Sequence, residues 1–354
     1  MDRDIEFLNA ATAEQRIENL KTLLAEEKEK PEALPQYANN HIHTTFSFSP
    51  YSPTAAVWAA RRAGLLTAGI MDHDSISGAA EFREAARLAG IGSTCGIEMR
   101  VDCHATPFAD KSLNNPDQTG VAYMTFHSIK ARYFDKVKEF LKPHVELRIE
   151  RDRKELEAIN RELGTNIDFD RDVVPLSQYA NGGSITERHL FYAAAKAVLP
   201  EGTEAEQYKL LGQYKSGLNK KIFIPAKEEL ISLEEAVEFA DEIDAILCYA
   251  YLGDVGASPT GDKAAAKYED DYLDELMAYL HDAGIKAVTY MPSRNTLEQM
   301  DRLMALCDRY EMKQISGEDI NQPSQSFICK QLADPKFAHL VDAAWDLVKR
   351  EENG

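Results

Sequence analysis

The sequence predicts an α/β protein assembled from parallel strand–helix units. Two observations carry that reading. From about residue 38, short apolar runs alternate with stretches of helical periodicity. Several of those runs stop on His, Asp or Glu. In a parallel barrel the C-terminal strand ends share one face, so groups delivered there converge.

Residues 1–37 read as an N-terminal extension, a helix over 1–35 with a Lys/Glu-rich tail broken by Pro31 and Pro35. Its role is open between capping the barrel and self-association, and the oligomeric state is not legible. Residues 38–144 form the first barrel part, with strands predicted in 65–74, 93–102 and 121–129 and helices in 77–90 and 131–142. Residues 145–231 read as a mostly helical insertion, with helices over 146–164, 184–199 and 204–217. Thr186 is a plausible N-cap region for the middle one. Residues 232–354 return to strand–helix alternation, with strands in 244–254, 286–294 and 313–321.

Composition narrows the function. The chain has 354 residues, 44% hydrophobic and 28% charged, and a formal net charge of −19. That balance disfavours a nucleic-acid polymer or an anionic membrane as partner, since both require a basic face. A small anionic substrate stays compatible, because a bound cation reverses the local field. The five cysteines are scattered without a C-x-x-C pair, as expected of reduced thiols in a cytosol. The first twenty residues are too charged for a signal peptide, and no run of about 18 apolar residues suggests a membrane span.

The strand ends carry the chemistry. His41 and His43 are two residues apart, a spacing that turns both imidazoles to one side of a strand. Asp72, His73 and Asp74 follow an apolar run, Glu98 follows another, His127 ends "VAYMTF", and Asp319 follows "KQISGE". Each has an ordinary alternative: a polar surface position, a helix N-cap at Asp74 or Ser75, a turn at Asp319. Taken together, imidazoles and carboxylates on one barrel face suit divalent Mn, Fe or Zn, and a shared Glu can bridge two ions. His104 is a rival to His127 that reads as a loop residue, and His144, His281 and His339 read as surface residues.

The order of these motifs resembles the polymerase-and-histidinol-phosphatase (PHP) family of metal-dependent phosphoesterases. The matching stretches are "HIHTTFSFS", "GIMDHDSISG", "GIEMR" and "SGEDIN", with later histidines resembling His127 and His189. The resemblance spans about residues 38–330 and is similar to the subgroup acting on small phosphate esters such as nucleoside monophosphates. It implies a distorted (β/α)7 TIM-like barrel with a helical insertion and a cluster of two or three divalent ions. Carried over, His41, His43, Glu98 and Asp319 would hold the first ion, and Glu98, His127 and His189 the second. His73 would serve a third, with partners from the loop after His43 and from the last motif. There the chain departs: Phe48 and Asn321 occupy those positions, and Tyr251 stands where relatives carry His. Two strong metal positions and a weak or absent third are therefore expected.

The expected reaction is hydrolysis of a small phosphate ester, with Glu98 bridging the ions. Asp72 or His73 would orient the water or protonate the leaving oxygen. Arg148, Arg188 and Arg294, with Lys263 behind them, are the candidates to hold phosphoryl oxygens, because a guanidinium matches phosphate in two-point fashion. The competing readings are a two-metal amidohydrolase-type C–N hydrolase and a non-catalytic metal-bound ligand sensor.

Overall fold

The computed structural model describes residues 2–256 and 266–353, so Lys263 lies outside the described residues. Two short helices, α1 (Arg3–Leu8) and α2 (Ala13–Glu26), open the chain where one helix was expected. Thr12 caps the second through its side chain. They pack on α3 (Pro53–Arg62) and α4 (Ala79–Ala89). Arg16 reaches Glu81 there through Nε at 2.8 Å, with both side chains buried.

The sheet contains β1 (Asn39–Ile42), β2 (Thr67–His73), β3 (Gly92–Asp102), β4 (Val121–His127), the short β5 (Ile231–Ser232), β6 (Ile246–Ala250), β7 (Ala287–Tyr290) and β8 (Lys313–Ser316). The strand order is β1-β2-β3-β4-β6-β7-β8, with β5 paired to β3. One predicted feature is corrected: β4 runs antiparallel to both β3 and β6, whereas the other pairings are parallel.

The sheet curls on itself. A parallel bridge joins Ile42 to Ile320, with His43 N to Ile320 O at 3.0 Å and Ile320 N to His41 O at 3.1 Å. Gly317 makes this approach possible, because a Cβ there would meet the His41 backbone nitrogen at 2.5 Å. Alternation along β6 separates two environments, as period-two strands require. Leu247 and Tyr249 join the large core under the helices, while Ile246 and Cys248 join Ala287, Ile315 and Leu347 in a small cluster. Leu347 comes from the last helix, α11 (Ala338–Glu352), which packs on β8, β3 and β2.

The intervening helices are α5 (Phe134–Leu163), α6 (Glu187–Val198), α7 (Glu204–Ile222), α8 (Leu233–Glu242), α9 (Leu273–Asp282) and α10 (Leu297–Arg309). Capping boxes open α8 at Ser232 and α10 at Thr296. The two helices expected at 131–142 and 146–164 merge into α5, which continues through Pro143. The expected boundary at 144/145 therefore falls inside one helix. Residues of α5, α6 and α7 share a separate apolar cluster that also takes in Phe48.

Replacing Gly317 by Ala forces the His41 backbone away, an overpacking cost of about 1–3 kcal/mol. Urea unfolding of Gly317→Ala is expected to show that loss with an unchanged m-value.

Candidate metal centre

A single carboxylate organises the open face. Glu98 stands in β3 opposite His73, the last residue of β2. Its Oε2 lies 3.0 Å from His73 Nδ1, 3.7 Å from His41 Nε2 and 3.8 Å from His43 Nε2. His43 Nε2 is also 3.2 Å from Asp319 Oδ1, three residues beyond β8. Ligand atoms of His41, His43 and Asp319 lie within 4.8 Å of one another, and so do those of His43, His73 and Glu98. Both clusters use His43.

The second layer fixes the His43 tautomer. Asp72 is fully buried, and its carboxylate accepts from Thr44 N at 2.6 Å, Thr44 Oγ1 at 2.6 Å and Ser47 Oγ at 2.7 Å. Ser47 spends its only proton on Asp72, so its oxygen accepts from His43 Nδ1 at 3.2 Å. With Nδ1 as the donor to Ser47, Nε2 is the His43 nitrogen that faces Asp319 and Glu98, and its lone pair becomes available when a cation displaces the proton it shares with Asp319. One lone pair serves one ion, so the other cation position depends on His73 and Glu98. Asp72, considered from sequence as an acid or base, lies beneath the site with its oxygens engaged.

The electrostatics suit a cation. Burial pushes the Glu98 carboxyl up, but His73, His41 and His43 outweigh it and bring the pKa to about 2. Burial would also raise Asp319, yet the hydrogen bond and charge of His43, then His41 and Arg188, hold it well below the carboxylate range. Burial lowers His73 to about 3 against the pull of Glu98. For His41 burial is overcome by the charge and hydrogen bond of Glu98, and the pKa rises. Ionised carboxylates with neutral imidazole lone pairs are the donor set of Zn, Mn or Fe.

Two expected ligands stand apart from both clusters. His127 ends β4, and because β4 is antiparallel its end points away from the face where β2 and β3 end. Thr125 is the residue opposite Glu98, and Tyr123 is opposite Arg100. Tyr123 therefore takes the place on the open face, its ring 5.8 Å from that of His73. His127 lies deeper but within electrostatic reach of His41 and Glu98, and both its ring nitrogens lack a hydrogen-bond partner among the described residues. His189 closes the capping box of α6, accepting from Thr186 N at 3.0 Å through Nδ1. Its ring meets Phe48 edge-on at 4.9 Å. Asn321 donates to Asp319 Oδ1 at 2.6 Å and accepts from Arg188 Nη1 at 3.0 Å, which occupies both ends of its amide.

The basic candidates separate. Arg148 is buried and paired with Asp74 and Glu187, the latter at 3.2 Å, so its charge is spent inside the fold. Arg188 is half-buried beside Asn321, and Arg294 feels Asp319 while its Nε donates to Leu252 O at 3.2 Å. Sequence reasoning missed Lys215 of α7. Arg188 first and burial second lower its pKa, while the charge of Asp319 pulls it the other way. Also missed was Asn9, which bonds Pro50 O and Ser52 N, both at 2.8 Å, and so steadies the loop after His43 from the N-terminal extension. His104 is an exposed turn residue paired with Asp102 at 2.6 Å. Tyr251 is buried, with its hydroxyl on Asp270 at 2.6 Å.

The PHP domain model matches residues 39–318, the stretch that carries every cluster residue except Asp319, which lies one residue beyond it. The chain belongs to the PHP domain family. Two solved structures share its fold. A proposed metal-dependent phosphoesterase of Bifidobacterium adolescentis has a TM-score of 0.60 at 19% identity, over 88% of this chain and 98% of the other. An amidohydrolase of Chromobacterium violaceum, solved with bound sulfate and no metal, has a TM-score of 0.58 at 19% identity, over 82% and 89%. No curated protein matches the chain. No helix among the described residues is long and apolar enough to cross a membrane.

Ser47→Ala frees the His43 tautomer and is expected to weaken divalent-ion binding by about 10–100-fold, read by chelator competition. The buried histidines set a pH dependence. Burial lowers His73, His127 and His189 to about 3. Unfolded histidine takes a proton near about 6.5, so between these values the unfolded chain binds more protons. Stability of the metal-free protein is thus expected to fall as pH drops from about 6.5 toward 3. His127→Leu, followed by urea unfolding, should flatten that fall.

Proposed function

We propose that this protein is a metal-dependent phosphohydrolase acting on a small phosphate monoester. The observation that carries the reading is the Glu98 carboxylate amid His41, His43 and His73, with Asp319 beside it. His41, His43 and Asp319 would hold one ion, with His73 and Glu98 holding a second. Bound divalent Mn, Fe or Zn supplies positive charge against phosphoryl oxygens and a water of lowered pKa. Phe48 and Asn321 offer no strong ligand for a third ion.

The remaining work falls to side chains. Arg188, Lys215 and Arg294 all act electrostatically on the Asp319 side of the site, where they would orient a phosphoryl group. Burial keeps the Tyr123 phenol protonated, so beside His73 it can donate a hydrogen bond to the leaving oxygen. The helices of 145–231 would cover the substrate, latched to the end of β2 by Ser184 Oγ on His73 O at 2.6 Å. Five buried free cysteines accord with a reducing compartment. A C–N hydrolase is the second reading, since one structural neighbour is named an amidohydrolase.

The test is phosphate release from a panel of small phosphomonoesters by the full chain loaded with Mn, Fe or Zn. Glu98→Ala is expected to lower the rate by at least about a hundredfold, the scale of several kcal/mol of lost metal-assisted stabilisation. Ammonia or carboxylate release without phosphate would favour the C–N hydrolase. Ligand binding without turnover under every metal would favour a sensor.

A further inference from the structure

Asp319 owes its orientation to other side chains. His73 and Glu98 stand in strands, whereas Asp319 lies in the loop three residues beyond β8, with its side chain 40% exposed. Gln325 pins that loop, donating to Asp319 O and accepting from Asn321 N and Gln322 N, each at 2.7 Å. Those contacts hold the main chain but leave the carboxylate free to rotate. The side chain of Asn321 settles it, donating from Nδ2 to Asp319 Oδ1 at 2.6 Å. A carboxylate oxygen has two lone pairs. With one given to Asn321, the other serves the His43 side, where Nε2 lies 3.2 Å away and the first ion would bind.

Asn321 is held in turn by Arg188, 133 residues away along the chain, whose Nη1 donates to its amide oxygen at 3.0 Å. A guanidinium can only donate, so the amide oxygen must face Arg188 and the amide nitrogen must face Asp319. Asn321 is buried, so its amide has no solvent to turn to instead. Arg188 itself is rooted in the first turn of α6. Thr186 and His189 close the capping box around it, and Glu187 beside it accepts from Arg151 at 2.8 Å and from Arg148 at 3.2 Å. Contacts thus run unbroken from the buried charges of α5 and α6 to an oxygen of the metal centre.

We propose that Arg188 is a positioning residue for Asp319, acting through Asn321 to preset the carboxylate for the first ion. This rests on the metal centre of the phosphohydrolase reading and not on the identity of the ester. It is compatible with a phosphoryl contact, because a guanidinium has five N–H donors and Asn321 takes one. Charge and positioning predict opposite signs. Arg188 is a cation that acts on Asp319, so by charge alone its removal tightens metal binding; by positioning, its removal weakens it.

Mn affinity of the full chain, read by chelator competition without turnover, separates the two. Asn321→Ala and Arg188→Ala are each expected to weaken Mn binding roughly tenfold, the scale of a lost partner behind a ligand. Arg188→Lys keeps a donor and should stay close to the parent chain. In the Asn321→Ala background the relay is already broken, so adding Arg188→Ala should leave Mn binding unchanged or tighter. Arg188→Ala that binds Mn as tightly as a Mn-binding parent, or that weakens binding by the same factor with and without Asn321, overturns the relay alone. A parent chain that binds no Mn overturns the metal centre and the relay together.

Discussion

A carboxylate taken out of water must be repaid by charge or hydrogen bonds, or it takes up a proton. Glu98 is 8% exposed and stays ionised because three imidazoles face one of its oxygens. Those imidazoles come from β1, the residue just past β1, and β2. Holding them together therefore requires β1, β2 and β3 to lie side by side in register. Asp319 joins only because the sheet curls until Ile320 bridges Ile42. Closure of the sheet and assembly of the site are one event.

Support for that cluster comes from beneath and above. Beneath, Asp72 locks the loop after His43 through Thr44 and Ser47, and the N-terminal extension grips the same loop through Asn9. This gives the extension a positional role. Above, Arg100, Arg148 and Arg151 pair with Asp74, Glu187 and Glu229. Buried pairs of this kind add little net stability against an apolar alternative, but they break badly if one partner is lost. Their effect here is to fix α5 and the start of α6 over the ends of β2 and β3.

The mouth of the site divides by chemistry. Arg188, Lys215 and Arg294 gather positive charge near Asp319. Phe48 instead turns the adjoining wall aromatic, and its ring packs with His189, Tyr192 and Tyr208. An overall charge of −19 coexists with this local positive field, because the long-range repulsion of a small anion is screened within about 8–10 Å at physiological salt.

Local pattern made much of this legible in the chain. His41 and His43, His73 of the "DHD" after an apolar run, Glu98 in "GIEMR" and Asp319 in "SGEDIN" converge, since period-two alternation decides which side of a strand a residue faces. Strand direction is different. The alternation in "VAYMTFH" reads identically from either end, so it could not disclose that β4 runs backward, and Tyr123 rather than His127 reaches the face beside His73. Arg148 and Arg188 look alike as letters, but packing sealed one among carboxylates and left the other beside Asn321. Lys215 and Asn9 gained their places from helices docking across more than a hundred and about forty residues of chain respectively. Neighbour identity along the chain fixes facing and helix ends; which distant groups share a charge is settled when the sheet closes and the helices pack over it.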